Sequence, residues 1–193
     1  MKNAVICHGV NKDFDYASKK LVPSSSSNWL PWLQQRYLLS EIDCQNPAFL
    51  HSWVPDRKYE DDVEILKRYE IGPDTALIAH SCGAGFLVRY LSENPGIKIK
   101  HLVLVAPWMD GHNILGDYFD FTIDINLPER IEKMDFFYST DDESPYIQET
   151  FDKILKIFPN INAHKFSDKG HFTESDMKTI EFPELWEVCK SEI

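Results

Sequence analysis

No apolar run in this 193-residue sequence is longer than the five residues 102–106, far short of the ~18 that a bilayer-spanning helix requires. The amino terminus offers only residues 4–7 as an apolar stretch, too few for the core of a signal peptide, so secretion is not expected. Positive charge is scarce as well: 20 Lys and Arg stand against 31 Asp and Glu, a net charge of −11. DNA, RNA and anionic membranes select Lys and Arg patches, and none of them is expected as a partner. Cysteine is sparse and unpatterned. Cys7, Cys44, Cys82 and Cys189 form neither a C-x-x-C pair nor the dense even spacing of a disulfide scaffold, which predicts a reducing, cytoplasmic setting. His8, His51, His101, His112 and His164 lack H-E-x-x-H or any other ligand spacing, so no metal and no other cofactor is expected. There is no internal repeat. With 43% hydrophobic residues, the length fits one domain over residues 1–193, able to bury roughly 70% of its unfolded surface.

The stretch that organises the rest is residues 75–90, TALIAHSCGAGFLVRY. Leu77, Ile78 and Ala79 continue an apolar run of strand length, whereas Phe86, Leu87, Tyr90 and Leu91 recur at helical spacing. Ser81 sits where the period changes. A serine on a tight strand-to-helix turn, with small residues two places to either side, meets the requirement of a nucleophile elbow, where larger side chains would collide. Ala79 takes the place of the first glycine in the usual G-x-S-x-G, one methyl more, and Gly83 supplies the second.

Around this stretch, residues 4–7 read as a buried first strand followed by His8-Gly9, and residues 12–28 as a loop holding Pro23 and the serines 24–27. Trp29, Trp32, Leu33 and Arg36 fall at helical offsets, with Asn28 as candidate N-cap and Pro31 in the first turn. A short strand is expected within residues 37–44 and a turn at residues 52–55. A helix from Asp56 should present Tyr59, Val63, Leu66 and Tyr69 on one face. Further strands are expected at residues 100–106, 134–138 and 162–166, and helices near 148–158 and 182–189. Residues 107–130 carry no period that assigns them. Strands alternating with helices predict an α/β protein, a mostly parallel twisted sheet with helices on both faces. The two dozen residues 107–130 are too few for a cap domain.

In such a sheet the carboxyl ends of the strands converge on one edge, where ligands bind. Three of these ends carry chemistry: Ser81, then Asp141 and Asp142, then His171. Ser, acid, His is the chain order that an α/β-hydrolase sheet produces. Serine needs a neutral imidazole to take its proton, the role that falls to His171. The imidazole in turn needs a carboxylate to fix its tautomer, for which Asp142 is the candidate and Asp141 the alternative. The oxyanion needs backbone N–H donors, expected from Cys82, after the nucleophile, and from Val10, after the first strand. Cys82 itself is not expected as nucleophile, because His80, two residues earlier, is too large for an elbow. His80 directly precedes Ser81 and should point away from it, as packing or support.

The strings HSCGAG, YSTDD and HKFSDKGHF, in this order, together with Trp29-x-x-Trp32-Leu33 and LVLVAP, resemble the small cap-less serine hydrolases of the retinoblastoma-binding protein nine type. The similarity runs over nearly the whole chain. It implies a compact α/β-hydrolase fold with Ser81 as nucleophile, Asp142 as acid and His171 as base. Relatives continue STDD with a proline, whereas here Glu143 and Ser144 precede Pro145, which keeps Asp141 open as the acid. The pocket-protein motif L-x-C-x-E is absent: Ile42 and Asn46 flank Cys44, and Glu187 and Ser191 flank Cys189.

The function expected is therefore hydrolysis of a small ester, thioester or amide through an acyl-enzyme. The alternative is a hydrolase-like binding or scaffold module with an idle triad, and a weaker one is a sensor of a small hydrophobic ligand. Trp108, Tyr118, Phe119 and Phe121 read first as core and second as an acyl pocket. Residues 24–27 read as a surface loop, with gating of the site as the sharper alternative.

Overall fold

The computed structural model describes residues 1–10, 23–49, 57–110 and 112–193. Six strands, β1 (Asn3–Cys7), β2 (Asp43–Gln45), β3 (Thr75–His80), β4 (Ile99–Val105), β5 (Ile131–Ser139) and β6 (Asn162–Phe166), form one sheet in the order β2-β1-β3-β4-β5-β6. Every pairing is parallel. All six residues of β3 are buried, because a central parallel strand is covered on both faces, and its sequence is accordingly a near-continuous apolar run. β6 lies at the edge and its residues are exposed or half-buried. Consecutive residues of β5 show the two layers. Phe136 packs on Phe151, ring centroids 5.5 Å apart, while Phe137 packs on Phe182, also 5.5 Å away.

The helices are α1 (Leu30–Leu39), α2 (Tyr59–Leu66), α3 (Cys82–Glu93), α4 (Ile147–Ile157), α5 (Glu174–Met177) and α6 (Pro183–Lys190). α1 is longer than its sequence pattern suggests and takes Tyr37 from the expected second strand, which shrinks to Asp43–Gln45. Tyr37 stands one turn beyond Leu33 and packs edge-on against Trp186 of α6 at 5.5 Å, so tertiary contact extends the helix. The N-cap is Trp29, not Asn28. Asn28 has φ +55° and its Oδ1 accepts from the Glu174 N–H at 2.9 Å, tying the start of α1 to α5. The expected turn at residues 52–55, the helix start at Asp56, the loop over 12–22 and His51 lie outside the described residues.

Within residues 24–27, read as a surface loop, Ser24–Ser26 forms a 3-10 turn with Ser25 buried and Ser26 exposed. The unassigned segment between β4 and β5 contains two further 3-10 turns, Gly116–Phe119 and Leu127–Glu129, and among the described residues no cap. No helix of the described residues is long and apolar enough to cross a membrane. The strand order reverses between β1 and β3, so the loops leaving these two strands flank a switch point, the place where parallel sheets open a ligand site.

Candidate active site

β3 ends at His80 and α3 begins at Cys82, leaving Ser81 alone to make the turn. It does so at φ 56°, ψ −126°, a backbone state that costs on the order of 1–3 kcal/mol in a non-glycine residue and persists only when its surroundings enforce it. The enforcement is visible. The Ser81 N–H donates to the Val105 carbonyl at 2.9 Å, and the Ser81 carbonyl accepts from Trp108 and Ala84 N–H, both at 3.0 Å. Gly83 is required for a second reason: a Cβ there would stand 2.4 Å from the His8 carbonyl oxygen. The elbow helix is thereby seated against the loop that leaves β1.

His171 comes to the same edge on the turn after β6. Gly170 at φ +50° and Phe172 at φ +56° flank it, making His171 the apex of a tight loop. Phe172 is fully buried, with its ring 5.4 Å from Phe182 and 5.7 Å from Phe166, and this burial anchors the loop. The His171 N–H donates to Asp176 Oδ2 at 2.9 Å, and the His171 carbonyl accepts from His80 Nε2 at 2.7 Å. Both backbone groups of the imidazole-bearing residue are fixed from outside its own turn.

The side chains meet in one chain of hydrogen bonds. Ser81 Oγ lies 2.8 Å from His171 Nε2, and His171 Nδ1 lies 2.7 Å from Asp142 Oδ2. The Asp142 side chain is fully buried and that of His171 is 17% exposed, so the carboxylate is shielded while the imidazole edge is open. Burial raises the Asp142 carboxyl, but the His171 hydrogen bond and charge, with the Ser144 N–H, outweigh it and leave it below the usual range. Ionised Asp142 accepts the Nδ1 proton and so leaves Nε2 free to accept from Ser81. Asp141, next in sequence, faces elsewhere: its Oδ1 accepts from Ser139 Oγ and, at 3.1 Å, from the Gly170 N–H. The insertion of Glu143 and Ser144 thus does not carry Asp141 to His171.

His80 is buried, and its pKa is pushed down to about 3 by burial first and by the charge of His171 second. Its ring lies 5.0 Å from that of His171, and its Nε2 carries a proton because the His171 carbonyl only accepts. Cys82 is fully buried and its thiol is raised to about 11 by burial. Its Sγ accepts from Arg57 Nη1 at 3.4 Å. Val10, half-buried, follows Gly9 in the loop beside the elbow. Of the aromatics between β4 and β5, Tyr118 is core, while Trp108, Phe119 and Phe121 are partly buried; Trp108 Nε1 donates to the Pro145 carbonyl at 2.9 Å, bracing the Asp142 loop.

Two features escape sequence reading. Behind Cys82 lies a desolvated cluster: Arg57 Nε donates to Asp62 Oδ2 at 2.6 Å, Tyr118 donates to the same oxygen at 2.5 Å, and both members of the ion pair have no exposed side-chain surface. Asp62 on a helix face reads as solvated, and nothing in its spacing from Arg57 says otherwise. Asp176, the anchor of the His171 turn, had a signal. Thr173-x-x-Asp176 is a capping box, and the structure forms it in both directions. Of the other described histidines, His101 and His164 both bind Asp135, and His112 stacks on Tyr146.

No family model matches the sequence, and no curated protein matches it. Solved structures do match. The product of the ydeN gene from B. subtilis superposes with a TM-score of 0.78 at 21% identity, covering 100% of this chain and 98% of that one. Est1E from Butyrivibrio proteoclasticus, solved with ferulic acid, gives 0.62 at 13% identity over 99% and 87% of the two chains. XC6422 from Xanthomonas campestris, described as an α/β serine hydrolase without lid, gives 0.56 at 14% identity over 98% and 79%. Identities of this order speak for the fold, and the six-stranded parallel sheet with its helices is accordingly a compact α/β-hydrolase fold, among the described residues without a cap.

Proposed function

We propose that this protein is a serine hydrolase that cleaves a small carboxylic ester, thioester or amide through an acyl-enzyme. The observation that carries the reading is the unbroken hydrogen-bond chain from Ser81 through His171 to buried Asp142. Ser81 Oγ attacks the substrate carbonyl while its proton passes to His171 Nε2. Asp142 stabilises the imidazolium, which returns the proton to the leaving group as the acyl-enzyme forms. Water then attacks the acyl carbon by the same relay and frees Ser81. The N–H groups of Cys82 and Val10 receive the negative oxygen of each tetrahedral intermediate.

The fold neighbour XC6422, described as a serine hydrolase without lid, favours the same chemistry, and the motif resemblance narrows it to the small cap-less serine hydrolases of the retinoblastoma-binding protein nine type. An edge without a cap suits small substrates, and the net charge of −11 disfavours strongly anionic ones. Four free, buried cysteines accord with a reducing, cytoplasmic setting. The idle-module alternative would be favoured by misaligned groups, and contacts of 2.7 and 2.8 Å give it no such support. Hydrolysis of a panel of 4-nitrophenyl acyl esters tests the reading. Turnover that vanishes in Ser81→Ala supports it, and equal rates in wild type and Ser81→Ala contradict it.

A further inference from the structure

The loop leaving β1 contains a buried histidine whose two ring nitrogens are both assigned by their partners. His8 Nδ1 lies 2.7 Å from the Gly9 carbonyl oxygen, and His8 Nε2 lies 2.9 Å from the Phe49 N–H. A carbonyl only accepts and a backbone N–H only donates, so Nδ1 carries the proton and Nε2 is bare. Phe49 is itself locked, edge-on to the His8 ring at 5.2 Å and to Phe86 of α3 at 5.5 Å. The tautomer is therefore set by the core.

What His8 holds is one half of a peptide group. The described chain has no cis peptide bond, and in a trans peptide the C=O and the following N–H lie in one plane and point in opposite directions. Fixing the Gly9 carbonyl on one side fixes the Val10 N–H on the other. Among the described residues that N–H has no acceptor. The peptide also passes directly against Ser81. A Cβ on Gly9 would stand 2.7 Å from Ser81 Cβ and 3.2 Å from Ser81 Oγ, an approach only glycine allows. A hydrogen bond accepted by a peptide carbonyl polarises the same peptide and strengthens its N–H as a donor.

We propose that His8 is a positioning residue for the oxyanion: by holding the Gly9 carbonyl, it aims the unpaired Val10 N–H at the substrate oxygen that becomes negative when Ser81 attacks. The inference rests on the proposed role of Ser81. Burial first, with the Arg57 charge adding to it, pushes His8 down to about 4 against the Gly9 hydrogen bond. His8 stays neutral at neutral pH, so the tautomer and the aim of the peptide do not change there.

Two substitutions divide the functions of the ring. His8→Asn places an amide donor near the Nδ1 position and loses the acceptor for Phe49, whereas His8→Gln places its polar atoms near Nε2 and loses the donor to Gly9. For 4-nitrophenyl acetate, His8→Gln should lower kcat by about tenfold to a hundredfold with KM unchanged, a fraction of what deleting an oxyanion donor costs. His8→Asn should stay within about threefold of wild type. Wild-type kcat in His8→Gln, or losses in both variants that simply track their thermal stability, would overturn the proposal. A long-range proton–nitrogen spectrum of wild type carrying nitrogen-15 histidine reads the tautomer without any turnover. Protonated Nδ1 with bare Nε2 supports the proposal, and the reverse overturns it. Wild type no faster than Ser81→Ala would instead contradict the hydrolase reading, a result the tautomer spectrum keeps separate.

Discussion

His80 Nε2 donates to the carbonyl oxygen of His171 at 2.7 Å, so the residue before the candidate nucleophile holds the backbone of the candidate base. Strand β3 thereby fixes both partners of the Ser81–His171 hydrogen bond, one covalently and one through His80. His80→Phe keeps the ring volume and removes the donor. It should slow fluorophosphonate labelling by about tenfold to a hundredfold, the scale of a small misplacement of reacting groups. His80→Gln, whose amide reaches toward the same position, should recover much of the rate. Equal labelling by wild type and His80→Phe would show that the anchor is dispensable.

The two adjacent aspartates should separate cleanly. Asp142→Asn leaves a hydrogen-bonding group of the same shape at His171 but favours the wrong tautomer, a change that costs about 10⁴ in kcat in a working triad. Asp141→Asn touches only the Ser139 and Gly170 contacts and should cost less than about tenfold. Steady-state ester kinetics on both variants decide the matter, and a reversed order of effects would contradict the assignment.

The Arg57–Asp62 pair, with no exposed side-chain surface on either member, should behave as a desolvated ion pair. Removing one charge by Arg57→Met strands the other and should destabilise the fold by about 3–5 kcal/mol. Adding Asp62→Leu to Arg57→Met should recover a large part of that loss, because the stranded carboxylate is gone. Urea unfolding of the single and double variants measures the cycle. A double variant less stable than Arg57→Met would refute the argument.

Asp135 makes acid stability a prediction with a sign. Burial raises its carboxyl, but hydrogen bonds from His101 Nε2 and His164 Nε2, each at 2.6 Å, prevail and lower it to about 2. The folded value lies below the unfolded one of about 3.9, so the stabilisation is complete above that pH and is lost as pH falls toward 2. The amount is on the order of 2 kcal/mol. Unfolding free energies of wild type should therefore fall more steeply between about pH 4 and pH 2 than those of Asp135→Asn. Parallel curves would contradict the assignment.

Much of the sheet was legible because buried parallel strands write themselves as apolar runs: β1, β3 and β4 lie where their runs are. The elbow was legible for a steric reason, since the residues around Ser81 must be small whatever the rest of the chain does. The stretch between β4 and β5 was not. Its single 3-10 turns depend on distant partners, such as Arg89 Nη1 on the Asp117 and Tyr118 carbonyls at 2.9 and 2.7 Å, and tertiary contacts leave no period in the local sequence. α1 outran its pattern because Tyr37 found Trp186 across the fold. The turn that presents His171 was recognisable as a loop, and the Thr173-x-x-Asp176 spacing pointed to one of its anchors, but the other, His80, is a residue that no spacing rule connects to it. The buried Arg57–Asp62 pair was invisible for a related reason: charge on a helix face predicts solvent until the partner that neutralises it is seen.

The central claim is that Ser81 is an activated nucleophile, and a fluorophosphonate probe reads that directly. Wild type, Ser81→Ala and His171→Ala should be incubated with the probe and examined by intact mass, with circular dichroism to confirm folding. The account predicts one adduct on wild type, none on Ser81→Ala and a rate on His171→Ala lower by orders of magnitude. A folded wild type that acquires no adduct, or a Ser81→Ala protein that labels equally, would contradict it.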